Sequence, residues 1–427
     1  MQNVLNLHWR MCFCIILERR QVLKMLKFEI KKVFSKPKNK IAVILLFVVL
    51  VVTSILTINR VEYVDENGNH SVGITASRNL REAKNKWAGY LTEDTLRKVL
   101  EENTAINNSK EALSDDIVEQ DKAYAKYQGI AGIVDVINSA FSEFRDYNPY
   151  AANSVSADEV GTIYERRIST LENWMNSGEE TFTEEEQKFL IQQYENLKTP
   201  FYYEYADGWA ALLQNISTFI LILALVIGFF VSGIFSDEFQ TKADSIFFSA
   251  KLGRNKGVLS KMGAGIMIVS VFYIVFVILY TTIVLLVLGA DGANCPIQLD
   301  LWRSVYNVTF LQAYLFIVSG GYVGTLFASL LAMLVSSVTR STTTAIIVPF
   351  IILCAFPFLS RIITLPQLCL FFPDQLLEVY VDMKESGLVN LGGKVTTVAT
   401  FIIPLYIVIC LILQPILYRS YSKAEVK

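Results

Sequence analysis

The sequence predicts an all-α fold: a polytopic membrane protein with six transmembrane helices and a large, mostly helical extracytoplasmic domain inserted after the first span. Three observations lead to this prediction. Apolar residues make up 53% of the 427-residue chain, which is more than an ordinary soluble domain carries. Six stretches are apolar enough to cross a bilayer, which takes roughly 20 residues per helix. A long acidic segment separates the first stretch from the second.

Residues 1–24 are expected to be a non-native or disordered leader. Their apolar patch, residues 11–17, is too short to span a membrane. Glu18-Arg19-Arg20 is what a purine-rich ribosome-binding sequence would encode if it were read as protein, and Met25 follows shortly after. A cleaved signal peptide is the alternative, although no small-residue cleavage site precedes Met25.

Residues 25–40 are predicted to form an amphipathic cytoplasmic helix. Leu26, Ile30, Val33 and Phe34 fall on one helical face, and lysines fall on the other. Such a helix suits an anionic membrane surface, with its apolar face toward the lipid. The first transmembrane helix then covers residues 41–58.

The five further transmembrane helices lie within residues 209–427. All six apolar stretches are free of charged side chains and cover residues 41–58, 211–235, 262–289, 311–338, 343–359 and 396–418. Lysine and arginine cluster before the first, between the second and third, and after the last, which places these segments in the cytoplasm. We therefore expect a multi-pass protein of the plasma membrane with cytoplasmic N and C termini.

Residues 59–208 are predicted to form the extracytoplasmic helical domain. Apolar residues recur there at helical spacing, and Thr92 and Thr183 precede carboxylates, as helix N-caps do. About 150 residues can bury a core of their own. The acidic surface suits a cationic ligand such as a peptide, or it serves solubility alone. The aromatic residues at 201–209 either anchor the domain at the membrane boundary or belong to its core.

The sequence contains few of the residues and motifs that catalysis requires. The two histidines, His8 and His70, cannot assemble a triad or a histidine-rich metal site. Residues 387–395 are rich in glycine, but their lysine comes one place late for a phosphate-binding loop and the magnesium-binding hydroxyl is missing. No Asp, Glu, His, Lys or Arg lies within the spans to couple transport to an ion gradient. We expect no enzyme and no catalytic, cofactor or metal site, so any transport takes its energy from a partner.

The segment between spans two and three, residues 236–261, is short, charged and compatible with a helix. It carries an acidic residue, an aromatic pair, a glycine-arginine turn and a lysine at the start of span three: Glu238, Phe247, Phe248, Gly253, Arg254 and Lys261. In this order, and in the layout of residues 25–427, the chain resembles bacterial ABC transporter permeases of the type-two (ABC-2) exporter class. One departure is the stretch Gln240-Thr-Lys-Ala, where that family often has a glycine.

The resemblance implies the membrane permease subunit of an ATP-driven exporter. It implies that residues 236–261 dock into a separate cytoplasmic ATPase, which binds the ATP and magnesium, and that the coupling residues are Glu238, Phe247, Phe248, Gly253 and Arg254. For Glu238 and Arg254 the alternative is an ordinary solvated loop charge. The expected partners are this ATPase, a second permease in a homodimer or mixed pair, and membrane lipid, with no nucleic acid. The cargo is a peptide, lipid or drug.

A function of a different class is also open: a membrane receptor or sensor whose extracytoplasmic domain binds a ligand without transport. A neighbouring gene for a phosphate-loop ATPase would favour export, and a histidine kinase alone would favour sensing. An integral membrane enzyme comes third, because the spans lack acids, histidines and metal ligands.

Two further features concern helix packing. Span four carries a small residue at every fourth position: Gly320, Gly324, Ala328, Ala332 and Ser336. Such a stripe lets another helix approach closely, and the alternative is that it lines a conduit. Residues 361–395 are apolar at first, broken by proline and too short to cross the membrane, so they predict a re-entrant or interfacial extracytoplasmic segment.

Overall fold

The computed structural model of the protein describes residues 22–355, 358 and 366–425. Most of the leader predicted for residues 1–24 lies outside the described residues. Helix α1 covers residues 22–35, and helix α2 follows as Pro37–Ile58. Pro37 begins α2 because its fixed φ suits the first turn, where no N–H is needed. Residues 37–40 thus belong to the first long helix and not to the preceding amphipathic helix.

The apolar face of α1 packs against protein. Val33 is buried, and Ile30 and Phe34 pack against the core of the long helices. The ring of Phe34 stacks on Phe272 with 5.3 Å between centroids. The predicted amphipathic pattern is therefore present, but its apolar side is covered by the helical bundle.

An inserted segment, residues 59–206, separates α2 from the next long helix. It holds six helices and two antiparallel ladders, so the predicted helical character is accompanied by short strands. The helices are α3 (Ile74–Asn85), α4 (Glu93–Asn107), α5 (Ile117–Tyr127), α6 (Ala131–Phe141), α7 (Ile163–Asn176) and α8 (Glu184–Glu195). Strand β1 (Glu62–Val64) pairs with β2 (His70–Val72), and β3 (Gly89–Tyr90) pairs with β4 (Tyr202–Tyr203).

Local sequence signals explain several of these boundaries. The hydroxyl of Thr92 accepts a hydrogen bond from the N–H of Thr95, and Thr183 forms a reciprocal capping box with Glu186. Both predicted helix starts are confirmed. The turn between β1 and β2 is closed by Asp65, whose carboxylate accepts the N–H groups of Asn67 and Asn69.

The inserted segment has an apolar core of its own. Buried residues of α4 and α6, among them Val99 and Ile133, pack there together with Phe201. Trp302, from the connection that follows the third long helix, joins this core. Of the aromatic residues at 201–209, Phe201 and Tyr203 belong to this core, whereas Tyr205 and Trp209 are buried in the core of the long helices. The interpretation as part of the core of the inserted segment thus holds for Phe201 and Tyr203, and Tyr205 and Trp209 connect the segment to the long helices.

Five helices of the described chain are long and apolar enough to cross a membrane. After α2 these are α9 (Asp207–Ser232), α12 (Val258–Leu288), α13 (Phe310–Thr339) and α17 (Val398–Ser422). Between α9 and α12 lie the short helices α10 (Asp237–Gln240) and α11 (Asp244–Ser249) and a π-helical turn, Gly253–Gly257.

The predicted span 343–359 is only partly described. Helix α14 (Thr342–Phe350) continues into a π-helical turn, Ile351–Ala355. From there to residue 365 only residue 358 belongs to the described part of the chain. The sixth transmembrane helix therefore stays a prediction.

The predicted re-entrant segment consists of short elements from residue 366 onward, and its residues 361–365 lie outside the described ranges. The elements are α15 (Pro366–Cys369), a 3₁₀ turn (Pro373–Leu376), α16 (Val379–Glu385), and the hairpin strands β5 (Leu388–Leu391) and β6 (Lys394–Thr397). The hairpin accounts for two of the three glycines of residues 387–395, because Gly392 and Gly393 both adopt positive φ at its turn.

The small residues of α13 are all buried: Gly320, Gly324, Ala328, Ala332 and Ser336. They meet more than one neighbour. A Cβ added to Gly320 would lie 2.8 Å from the carbonyl oxygen of Leu376, so the 3₁₀ turn touches the helix backbone there. At the other end, Ser336 donates a hydrogen bond of 2.5 Å to the carbonyl of Ser232 on α9.

Candidate functional site

A cluster of charged side chains lies where α1 meets the connection between α9 and α12. Its ammonium groups and its carboxylates are equal in number, so the formal charges cancel. We call it the charged cluster; its members are Glu29, Lys32, Lys36, Asp237, Glu238 and Lys261. It joins parts of the chain that are about 200 residues apart, as in the hydrogen bond from Lys36 to Asp237.

Glu238 lies at the centre of the charged cluster. Its Oε1 accepts hydrogen bonds from Lys261 Nζ at 2.6 Å and from Lys32 Nζ at 2.5 Å. Its Oε2 accepts a hydrogen bond of 3.2 Å from the hydroxyl of Tyr421. One carboxylate on α10 therefore joins α1, α12 and α17.

Lys261 is fully buried, with 0% of its surface exposed. Besides Glu238, its ammonium donates to Glu29 Oε2 at 3.1 Å and to the carbonyl oxygen of Ile234 at 3.0 Å. Three acceptors satisfy its three N–H donors. A buried charge is tolerated only when it is paired and hydrogen-bonded in this way.

Glu238 and Lys32 favour each other's charged form. Burial raises the pKa of Glu238, but the positive charges of Lys261 and Lys32 outweigh burial and hold that pKa below its ordinary value. Burial lowers the pKa of Lys32, and the neighbouring Glu238 more than offsets this, so the pKa of Lys32 is raised. Each group thus stabilises the ionised form of the other.

Aromatic rings of the connection surround Tyr421 beside the charged cluster. Phe248 lies 5.2 Å from the Tyr421 ring and Phe247 lies 5.9 Å from it, measured between centroids. Phe235 makes an edge-on contact with the same ring at 4.8 Å. Lys261 lies 5.3 Å from the centroid of Phe247. The aromatic pair of the connection therefore packs inward onto the end of α17.

Two backbone features shape the connection. A Cβ at Gly253 would lie only 1.8 Å from the carbonyl oxygen of Phe247, so the turn after α11 has no room for a side chain. Lys242 adopts φ of 57°, a left-handed conformation that is uncommon outside glycine. It lies in the stretch where ABC-2 permeases often have a glycine, so the chain takes a glycine-like backbone shape there without one.

Arg254 ties the connection to the C-terminal end of the described chain. Its Nη1 donates to the carbonyl oxygens of Ser422 and Ala424 at 2.9 and 3.0 Å. Its guanidinium lies over the ring of Phe248, 4.8 Å from the centroid. The side chain remains exposed, so Arg254 is a surface charge with internal partners.

The structure brings together all five residues that the sequence singled out for coupling: Glu238, Phe247, Phe248, Gly253 and Arg254. For Glu238 the alternative of a solvated loop charge is wrong, because its side chain is buried among two lysines and a tyrosine. The sequence reasoning missed Lys32 as a partner of Glu238 and Lys36 as a partner of Asp237. No local feature of the sequence relates these lysines to Asp237 and Glu238, which lie about 200 residues further along the chain.

The outer surface of the connection is exposed and partly apolar. Ile246 on α11 is 74% exposed, although its neighbour Phe248 is buried. Ser245, Ser249 and Lys251 are exposed as well. Helix α11 thus separates an inner face, packed on Tyr421, from an outer face that carries an unburied isoleucine.

In the described part of the chain, no group of three or more His, Cys, Asp or Glu side chains is placed to hold a metal ion.

Most of the chain matches a known protein family. Residues 34–377 match the family model described as ABC-2 family transporter protein. The match covers well over half of the 427 residues and includes the whole α9–α12 connection. Searches of the curated proteins and of the solved structures gave no match. The chain therefore belongs to the ABC-2 transporter family and is a membrane permease component of an ABC transporter.

Proposed function

We propose that the chain is the membrane-spanning subunit of an ATP-driven exporter that takes its energy from a separate cytoplasmic ATPase. The observation that supports this most is the two-sided α9–α12 connection. Its outer face exposes Ile246, and its inner face is joined to α1, α12 and α17 through Glu238. A force applied by the ATPase to the outer face would be transmitted to α1, α12 and α17 together.

The charge distribution supports a cytoplasmic position for this connection. Lys32, Lys36 and Arg254 lie at the same end of the bundle as both ends of the described chain. The acidic inserted segment contacts the opposite end, where Ser77 donates to the carbonyl of Val287 near the end of α12. By the positive-inside rule, the termini are cytoplasmic and the inserted segment is outside the plasma membrane.

In this proposal the partner ATPase binds ATP and magnesium, and the chain pairs with a second permease subunit, either a copy of itself or a related chain. The cargo is a peptide, lipid or drug. Closure of the ATPase around ATP would move α11 relative to the membrane. Because Phe247 and Phe248 pack on Tyr421, the end of α17 would follow.

Co-purification with the ATPase encoded beside this gene tests the proposal. Ile246→Asp places a charge on the outer face without touching the charged cluster. We expect it to reduce ATPase recovery about tenfold, as loss of about 1.4 kcal/mol at an apolar anchor would do. The matched control is Tyr90→Asp, an exposed residue of the inserted segment. Equal recovery with Ile246→Asp and the unmodified chain would contradict the proposal.

Arg254→Ala tests transmission separately from docking. Replacing Glu238 and Arg254 together is expected to abolish transport, but Glu238 also holds the charged cluster together, so that double variant confounds folding with coupling. Arg254 is exposed and its hydrogen bonds are to backbone carbonyls. We expect Arg254→Ala to insert and fold normally and to weaken the stimulation of ATP hydrolysis by cargo.

A further inference from the structure

Helix α3 of the inserted segment lies beside the last turn of α12. The hydroxyl of Ser77 donates to the carbonyl oxygen of Val287 at 2.7 Å. Helix α12 is long and apolar enough to cross the membrane, and it ends at Leu288. Because Val287 is the residue before this end, α3 lies at the level where the span leaves the bilayer. The leaflet next to the inserted segment is therefore within reach of α3.

We propose that α3 binds the phosphate of an anionic phospholipid in this leaflet through Arg78, with the acyl chains beside Ile74 and Leu286. The inference goes beyond the permease assignment and does not depend on transport or on a partner ATPase. It rests on an apolar surface that continues from α12 onto α3, on an unpaired guanidinium beside that surface, and on the charge of α3.

The apolar surface begins on α12. Leu286 is 76% exposed in the last turn of that helix, where the surroundings of a membrane span are lipid. Ile74, the first residue of α3, is 57% exposed and borders the same groove of about 160 Å³ as Leu286. Val72, two residues earlier, is exposed as well. The lipid-facing surface of the span therefore continues onto the start of α3, as expected of a membrane contact.

Arg78 lies one helical turn after Ile74 and borders the same groove. Its side chain is exposed, and among the described residues it has no hydrogen-bond or ion-pair partner. Glu82, one turn further along α3, forms no ion pair with it. Arginine binds phosphate through two parallel N–H···O bonds. Arg78 is therefore available to a phosphate group at the edge of the apolar surface.

The other cations on this face of α3 are neutralised. Arg81, which also borders the groove, forms an ion pair with Asp291 at 2.6 Å. Lys84 pairs with Asp207 at 2.6 Å. These two pairs hold α3 against the ends of α12 and α9. The residues that line the groove, all of them described, include no carboxylate, so the charge of Arg78 is not cancelled within it.

Helix α3 differs in charge from the segment to which it belongs. The inserted segment is acidic overall, whereas α3 carries three cations, Arg78, Arg81 and Lys84, and one carboxylate, Glu82. A membrane that contains anionic lipid repels an acidic segment, and a basic helix at the point of contact offsets that repulsion. The groove accommodates a headgroup phosphate but offers too little surface for a stable protein partner, whose interface buries more than about 1,000 Å².

Photo-labelling of the full-length chain in vesicles tests the proposal without a partner protein. The vesicles consist of phosphatidylcholine with a small fraction of photoactivatable phosphatidylglycerol, and matched vesicles contain photoactivatable phosphatidylcholine in its place. In both probes the reactive group lies next to the glycerol, so that it labels residues near the headgroup. Mass spectrometry of peptides then locates the adducts, and labelling of the lysines of α1 is counted separately.

We expect about fivefold more adduct from phosphatidylglycerol than from phosphatidylcholine on residues 72–86 and 286–290. Both lipids carry a phosphate, but the choline cation opposes the charge of Arg78, whereas phosphatidylglycerol has no cation. Equal yields from the two lipids, or no adduct on either stretch, would overturn the proposal.

Substitutions locate the phosphate. Arg78→Gln should lower the phosphatidylglycerol adduct on these residues about fivefold, to the level of phosphatidylcholine. The control is Arg166→Gln, at an exposed arginine of α7 whose guanidinium lies over Phe141, outside the groove; its adduct should equal that of the unmodified chain. An unchanged phosphatidylglycerol adduct in Arg78→Gln, or an equal loss in Arg166→Gln, would refute the site.

Inorganic phosphate distinguishes a lipid from a soluble anion. A lipid held by its headgroup and its chains should keep its adduct when phosphate is added, compared with chloride at the same ionic strength. Ile74→Ser should lower the adducts of both lipids, because it removes the apolar contact and keeps Arg78. Displacement of phosphatidylglycerol by phosphate, or unchanged adducts in Ile74→Ser, would assign the groove to a soluble anion and overturn the lipid proposal.

Discussion

Lys261 Nζ and Glu238 Oε1 lie 2.6 Å apart in a buried ion pair that joins α12 to the preceding connection. Lys261 is 0% exposed and Glu238 is 6% exposed. Since Lys32 and Tyr421 bond to the same carboxylate, α1, α10, α12 and α17 meet at one residue. The connection is therefore fixed to the bundle and does not hang from it as a loose loop.

Lys261→Met should destabilise the protein strongly. The substitution keeps most of the side-chain volume but leaves Glu29 and Glu238 without their shared cation in a buried site. Removing one partner of a buried ion pair costs about 3–5 kcal/mol. Unfolding of the purified chain in detergent would measure this loss. Lys251→Met is the control, since Lys251 is exposed, and a surface change of this kind costs within about 0.5 kcal/mol. Equal losses in the two variants would contradict the structure.

Stability should depend on pH through Glu238. Its pKa in the folded protein lies below its ordinary value of 4.5, because Lys261 and Lys32 outweigh the effect of burial. The stabilisation is therefore present in full above pH 4.5, and it is lost as the pH falls through the lowered folded pKa. Unfolding measured from pH 7 to pH 3 should show this loss in the unmodified chain and a smaller one in Glu238→Gln. Identical pH profiles would show that Glu238 contributes nothing to acid stability.

The small residues of α13 should differ in their tolerance of a methyl group. A Cβ at Gly320 would lie 2.8 Å from the carbonyl oxygen of Leu376 and 2.9 Å from Val379 Cγ2, whereas one at Gly324 would have its nearest contact at 3.2 Å, on a side chain. Gly320→Ala should thus cost about 1–3 kcal/mol through overpacking, and Gly324→Ala should cost less. Thermal unfolding of both variants provides the comparison, and the reverse order would rule out this packing of the 3₁₀ turn.

The long helices could be predicted from sequence because their signal is local. An apolar window of about 20 residues has few alternatives in a bilayer, and five of the six predicted spans contain helices long enough to cross. The sequence signals for the helix caps at Thr92 and Thr183 are equally local. In contrast, the short ladder of β1 and β2 was missed, since strands of three residues give almost no periodicity. Its turn, Asp65-Glu-Asn-Gly68, was the available signal.

The charged cluster depends on contacts between residues far apart in the chain. Lys32 and Lys36 belong to the lysine pattern of a helix that lies on an anionic membrane, and no local feature of the sequence distinguishes that role from pairing with Asp237 and Glu238. Arg167 was recoverable in principle. It lies four residues after Ile163 and four before Leu171, and both are buried on the same face of α7. An arginine on a buried helical face indicates specific partners, and Arg167 donates hydrogen bonds to the carbonyl oxygens of Trp302 and Ser304.

Site-specific photo-crosslinking from Ile246 tests the central claim, that a cytoplasmic ATPase docks on the outer face of the α9–α12 connection. A photoreactive amino acid would be placed at Ile246, or at the exposed Tyr90 of the inserted segment as the control. Cells would be irradiated, and adducts of the chain identified by mass spectrometry. We predict an adduct that carries a phosphate-loop ATPase at position 246 and none at position 90. An ATPase adduct at position 90, or its absence at position 246 in a chain that is folded and in the membrane, would contradict the claim.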